Sequence, residues 1–249
     1  MSPQPGGLRL IIRTDGWALL VALGSTVAIE LGTFIAARLT GSYATAAMLA
    51  CLAVSAAWVA LASPAFAAGG TRTISCWLRA AAVADASAVT LIVLWLAVPA
   101  MTFAAAVKIY CILAAVTLAA GGVIGTARTS PGRCALAAGL TVVLITALAS
   151  PAWVGGPAGY MPRDAGQKFA AMAVSTNPFF GVMAAVSSHV RQLWTEMTLM
   201  YGMTALGDTI PLPPVRWHQP VVIYLVIAAV GLAVSLIRCR LARPPQQVS

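Results

Sequence analysis

The chain has 249 residues, 60% of them hydrophobic and only 8% charged, with a net charge of +9 and five cysteines. A soluble domain carries about a quarter charged residues, and a disordered chain is poor in apolar ones, so both classes are excluded and an integral membrane protein remains. The basic residues stand between apolar runs rather than in one patch, which reads as topology signal and contact with anionic lipid, not as nucleic-acid binding.

The chain begins with residues 1–16, where Leu8, Leu10, Ile11 and Ile12, flanked by Arg9 and Arg13, suit a short cytoplasmic interfacial helix. A transmembrane helix needs about 20 mostly apolar residues. Five runs of that kind fall within 17–153: Trp17–Ala37, Tyr43–Ala67, Leu78–Val98, Met101–Ile124 and Cys134–Trp153, the last with an early stop on offer at Ser150-Pro151. A sixth, Val221–Ile237, precedes a basic tail, 238–249. The expected fold is all-α: one polytopic helix bundle with six transmembrane helices. Orientation follows from arginine and lysine in the loops. Nine basic residues (Arg9, Arg13, Arg72, Arg79, Arg128, Arg133, Arg238, Arg240 and Arg243) share the inner side when both termini are cytoplasmic, and that is the expected orientation.

Residues 154–219 break the hairpin rhythm and form an outer segment. A helical pattern near Asp164–Ser175 is followed by Asn177-Pro178, an N-cap with proline at the first helical position. From there Phe179, Val182, Met183, Val186, Val190, Leu193, Met197 and Met200 recur every three or four residues, predicting an amphipathic helix over 178–203 at the outer interface. Trp153, Tyr160, Trp194, Tyr201 and Trp217 suit headgroup level. Such a helix is a lid over a pathway or a packing cap on the bundle.

Three ionisable residues fall inside spans: Glu30, Asp85 and Lys108. Each costs roughly 2.5–3.5 kcal/mol at the bilayer centre unless paired or hydrated. At about 1.5 Å rise per residue, Glu30 and Lys108 both lie roughly 20 Å from the cytoplasmic edge, so an ion pair between them is expected, as a structural brace or as part of a substrate or proton path. Asp85, among Ala81, Ala82 and Ala88, lies nearer the cytoplasmic interface. Small residues at Gly24, Ala28, Gly32 and Ala36, and at Gly121 and Gly125, suggest seams for close helix contact.

The chain has no G-x-x-x-x-G-K-[ST], H-E-x-x-H or G-x-S-x-G motif. Scattered cysteines without C-x-x-C pairs read as apolar fillers and free thiols. His189 and His218 read as interfacial. No catalytic residue, metal or cofactor is expected.

The layout of tight outer turns at 38–42 and Pro99, basic inner loops at 68–79 and 125–133, and a helical outer segment between the last two spans resembles the membrane subunit of type-2 ATP-binding-cassette exporters. Asn177-Pro178-Phe179-Phe180 is similar to the Asn-Pro-aromatic start often seen there after span five, although the inner loop lacks the family's frequent Glu-rich stretch. The resemblance implies a bacterial inner-membrane permease-like subunit that moves a hydrophobic or amphipathic substrate. It would work with a separate ATPase docked at Arg72, Trp77 and Arg79. The pathway would run between two copies in a homo- or heterodimer, with the outer helix (Asn177, Phe179, Phe180, Trp194, Tyr201) as gate. The alternative is a non-transporting accessory subunit of a larger membrane complex.

Overall fold

The computed structural model describes residues 6–187 and 216–241, with the side chains of these from residue 16 onward except at 151, 155, 187 and 239. It is all-helical over these residues. The helices are α1 (Gly6–Leu39), α2 (Ala44–Ala68), α3 (Thr73–Ala97), α4 (Phe103–Ile124), α5 (Ser130–Leu148), α6 (Ser150–Trp153), α7 (Gly155–Tyr160), α8 (Arg163–Thr176), α9 (Pro178–Ser187) and α10 (His218–Leu241). Six of them (α1 to α5 and α10) are long and apolar enough to cross a bilayer. Within hydrocarbon, a helix satisfies its own backbone N–H and C=O groups, which is why apolar runs of this length take that form. The chain is a multi-pass membrane protein.

Alternation of the six spans defines two ends. The loops α2–α3 and α4–α5 and the end of α10 meet at an arginine end; the turns α1–α2 and α3–α4 and the segment α6–α9 meet at the far end. The α1–α2 turn is closed by Gly41 at φ 87°, a left-handed conformation that favours glycine. Thr102 caps α4 by accepting from Ala105 N (3.2 Å), and Thr129 caps α5 by accepting from Gly132 N (3.2 Å), with Pro131 in the first turn.

The centre is α2, α3 and α4, each half buried over its apolar window, whereas α1 and α5 are only 17% buried and present most of their surface outward. α1 packs on α2 and α3, α5 on α2, and α10 on α4. A hydrophobic core around Met48, Leu52, Val59, Val83, Ile109, Ile112 and Leu113 joins the three central helices. Without a hydrophobic drive between helices in lipid, close backbone approach matters more. It occurs where α10 crosses α4: a Cβ on Gly231 would stand 2.6 Å from Gly122 C, and one on Gly121 would stand 2.9 Å from Trp77 Cα on α3.

Four sequence expectations are corrected. The helix that contains span one is continuous from Gly6 to Leu39, so the N-terminal interfacial helix is not a separate element; nothing between Arg13 and Trp17 breaks α-helical hydrogen bonding. Span three starts at Thr73, not Leu78, because Arg72 occupies the N-cap and the basic loop is shorter than its charge pattern suggested. Span five ends at Leu148, and α6 and α7 follow instead of a span reaching Trp153, as Pro151 begins a new short helix. The Gly24/Ala28/Gly32/Ala36 seam faces outward, with open space around Gly24 and Gly32. The expected Gly121 and Gly125 seam does meet α3, at Trp77 and Thr73, and Gly122 and Gly231 add a further close approach.

Candidate functional site

The first site is a polar cluster inside the bundle. Glu30 sits on the inward side of α1 with Ala22 and Thr26, and its side chain is fully buried. Its Oε1 accepts from Ser87 Oγ on α3 at 2.6 Å, while Ser55 on α2 and Thr90 on α3 flank the same carboxyl group. Around them Cys51 Sγ donates to Glu30 O (3.2 Å), Ser55 Oγ to Cys51 O (3.0 Å) and Trp58 Nε1 to Thr26 Oγ1 (3.0 Å). Glu30 Oε2 and Thr90 Oγ1 have no hydrogen-bond partner among the described residues. Three helices therefore converge on one carboxyl group through hydroxyls, with no basic side chain among its partners. Ser87 has a single proton, and besides Glu30 it lies 3.2 Å from Val83 O, so the cluster can redistribute hydrogen bonds without moving a helix.

Lys108 is elsewhere, which corrects the expected ion pair. It stands five residues into α4, about 8 Å from the far end of that helix, and its Nζ lies over the Trp217 ring at 5.9 Å. A lysine near a span end extends towards the interface, and the indole face gives the ammonium a cation–π contact there. Glu30 meanwhile lies nine residues from the far end of α1, among hydroxyls that periodicity alone does not single out.

Asp85 is the third intramembrane charge. It lies near the midpoint of α3, two residues from Ser87, but on the outward side. Tyr110 on α4 donates its hydroxyl to Asp85 Oδ1 at 2.8 Å. The sequence placed Asp85 near the cytoplasmic interface; with α3 beginning at Thr73, it lies about 18 Å from the arginine end of the helix.

The second region is the far end. Helices α8 and α9 form a pair bent by 80° at Asn177. The bend is built by the motif itself. The Asn177 side chain is buried, accepts from Phe179 N (2.9 Å) through Oδ1, and donates through Nδ2 to Ser150 Oγ (3.1 Å) and Leu148 O (3.3 Å). Phe180 is fully buried, Phe179 packs partly against the main core and edge-on to Phe180, and α9 lies on α4 and α2. Tyr224 on α10 donates to Thr176 O (2.8 Å), fixing the other side of the bend. The expected helix over 178–203 is described as far as Ser187; its continuation, with Trp194, Tyr201 and His189, lies outside the described residues.

At the arginine end, Arg72 is exposed at the start of α3. Trp77 turns inward against Gly121 and Gly122 of α4, with a buried indole N–H. Arg79 is half buried beside Gly69. Of the three, Arg72 is the most exposed, and Trp77 is held by packing. No family model, curated protein or solved structure matches the chain.

Proposed function

We propose that the chain is a permease-like subunit of an ATP-binding-cassette exporter in a bacterial inner membrane, with both termini cytoplasmic and a separate ATPase chain doing the hydrolysis. The bent α8–α9 pair carries this reading: two helices between the fifth and sixth spans, together apolar enough to cross a membrane, of which α9 packs against α2 and α4. That is the feature the resemblance leads one to expect, and Asn177-Pro178-Phe179-Phe180 forms its bend. Irregular backbone at membrane depth is tolerated where protein or a cavity surrounds it, so a re-entrant pair next to the bundle is a natural gate for a hydrophobic or amphipathic substrate.

The outward Asp85 supports a second element of the proposal. A carboxyl group facing lipid mid-span is costly, and the face of α3 and α4 that holds it is accounted for when a second copy, or a hydrated pathway between two copies, covers it. Arg72 then belongs to the surface that receives the ATPase.

Purification of the tagged chain from its native host in gentle detergent, with mass spectrometry of co-eluting proteins, tests this. A stoichiometric ATP-binding-cassette ATPase, lost on Arg72→Ala, is the expected result. Stable association with another large complex and no ATPase would leave an accessory subunit in its place.

A further inference from the structure

A separate feature of the arginine end does not depend on the exporter reading. Where the α2–α3 loop, the α4–α5 loop and the last turns of α10 meet, a cleft of about 260 Å³ is lined by Arg72, Arg128, Arg133 and Arg238. It adjoins a wider depression of about 540 Å³ that shares Arg128 and Arg238 with it. None of the described lining residues is acidic. At about 30 Å³ per water molecule, the cleft has room for a tetrahedral oxyanion together with water.

Three of the four guanidinium groups are held by backbone oxygens. Arg133 donates to Thr71 O (3.1 Å), Arg238 to Thr126 O (2.9 Å) and Arg128 to Arg238 O (2.7 Å). Each guanidinium has five donors in a planar fork, so each is positioned while most of its donors stay uncommitted. Two buried groups in the lining lack any partner among the described residues: Arg133 Nε, on a side chain only 8% exposed, and Ser235 Oγ, on one 7% exposed. A buried unpaired donor costs about as much as a lost hydrogen bond, and four like charges around one cleft repel. A dianionic or monoanionic group with several acceptor oxygens answers both, and planar guanidinium forks match phosphate geometry.

We propose that this cleft binds a phosphate group, supplied by the headgroup of an anionic phospholipid or by a free phosphate compound. Ser235 and Arg133 bind it from the buried side and Arg238 and Arg128 from the open side.

The test uses the full chain in detergent. Two probes are compared: radiolabelled inorganic phosphate, scored by retention, and phosphatidylglycerol against phosphatidylcholine in mixed micelles, scored by the shift in thermal midpoint. Arg238→Gln should weaken binding at least tenfold, in line with the loss of a charged hydrogen-bond partner. Ser235→Ala, which removes a hydroxyl that none of the described residues uses, should weaken it several-fold without disturbing the fold. Arg216→Gln, at the far end, should change nothing. Binding of both probes with competition between them identifies a free phosphate compound as a ligand, and a response to phosphatidylglycerol alone identifies the lipid; each supports the site. Equal binding by all variants, or binding of neither probe, overturns it. So does loss of a co-purifying ATPase in Arg238→Gln with phosphate binding unchanged, because the cleft is then a protein-docking surface.

Discussion

Glu30 and Asp85 stand at similar depth in adjacent helices, yet the protein treats them differently. Glu30 is enclosed by α1, α2 and α3, with its carboxyl group among the hydroxyls of Ser55, Ser87 and Thr90. Asp85 faces outward and accepts a hydrogen bond from Tyr110. One carboxyl group is enclosed by three helices of the chain; the other is left outward by the described residues, and in the proposed assembly a second copy covers it. The first should therefore govern stability and the second assembly.

The largest effect is expected at the enclosed group. Glu30→Ala opens a cavity and removes the acceptor of the Ser87 hydroxyl, so thermal unfolding in detergent should show a loss of about 2–3 kcal/mol. If stability is unchanged, the cluster does not hold α1 to α3. Asp85→Leu should leave the detergent-solubilised chain as stable as wild type. It should weaken its assembly by about 1–2 kcal/mol, in the range of a polar contact between helices in lipid. Cross-linking through a cysteine at outward-facing Val89 reads this out, and unfolding comparable to that of Glu30→Ala would erase the distinction. Ser87→Ala should cost about 0.6 kcal/mol, the average for interhelical hydrogen bonds in membranes, and less than Glu30→Ala because the other hydroxyls remain. The smallest effect is a coupling. Glu30→Gln and Lys108→Met should add within about 0.3–0.5 kcal/mol, as for residues without shared partners. A larger interaction energy would restore the ion pair that the structure separates.

The number and approximate limits of the spans were legible because runs of about 20 apolar residues have one structural solution in a bilayer. The bend at Asn177 was legible in part: the Asn-Pro pair marked a helix start, but its bonds to Leu148 and Ser150 depend on where α5 ends, which no local signal gives. Partners of buried charges were not legible. Depth counted from span limits put Lys108 level with Glu30, while the rotation of α4 and the position of Trp217 decide where its ammonium goes. The hydroxyls that meet Glu30 come from serines and a threonine that on α2 and α3 look like ordinary members of Ala-rich helices. In the same way, the outward Gly24–Ala36 repeat outweighed Gly122 and Gly231, whose close approach requires two helices to cross at those residues.

In the proposed reading this chain forms the membrane half of an ATP-driven assembly, with the Asp85 face covered inside it. Native mass spectrometry of the complex released from host membranes tests this most directly. The account predicts two copies of the permease fold, both this chain or one of them a related subunit, with two ATPase subunits, and a mass shift to the free chain on Asp85→Leu. One copy bound among unrelated subunits, with no ATPase and no response to Asp85→Leu, would contradict it.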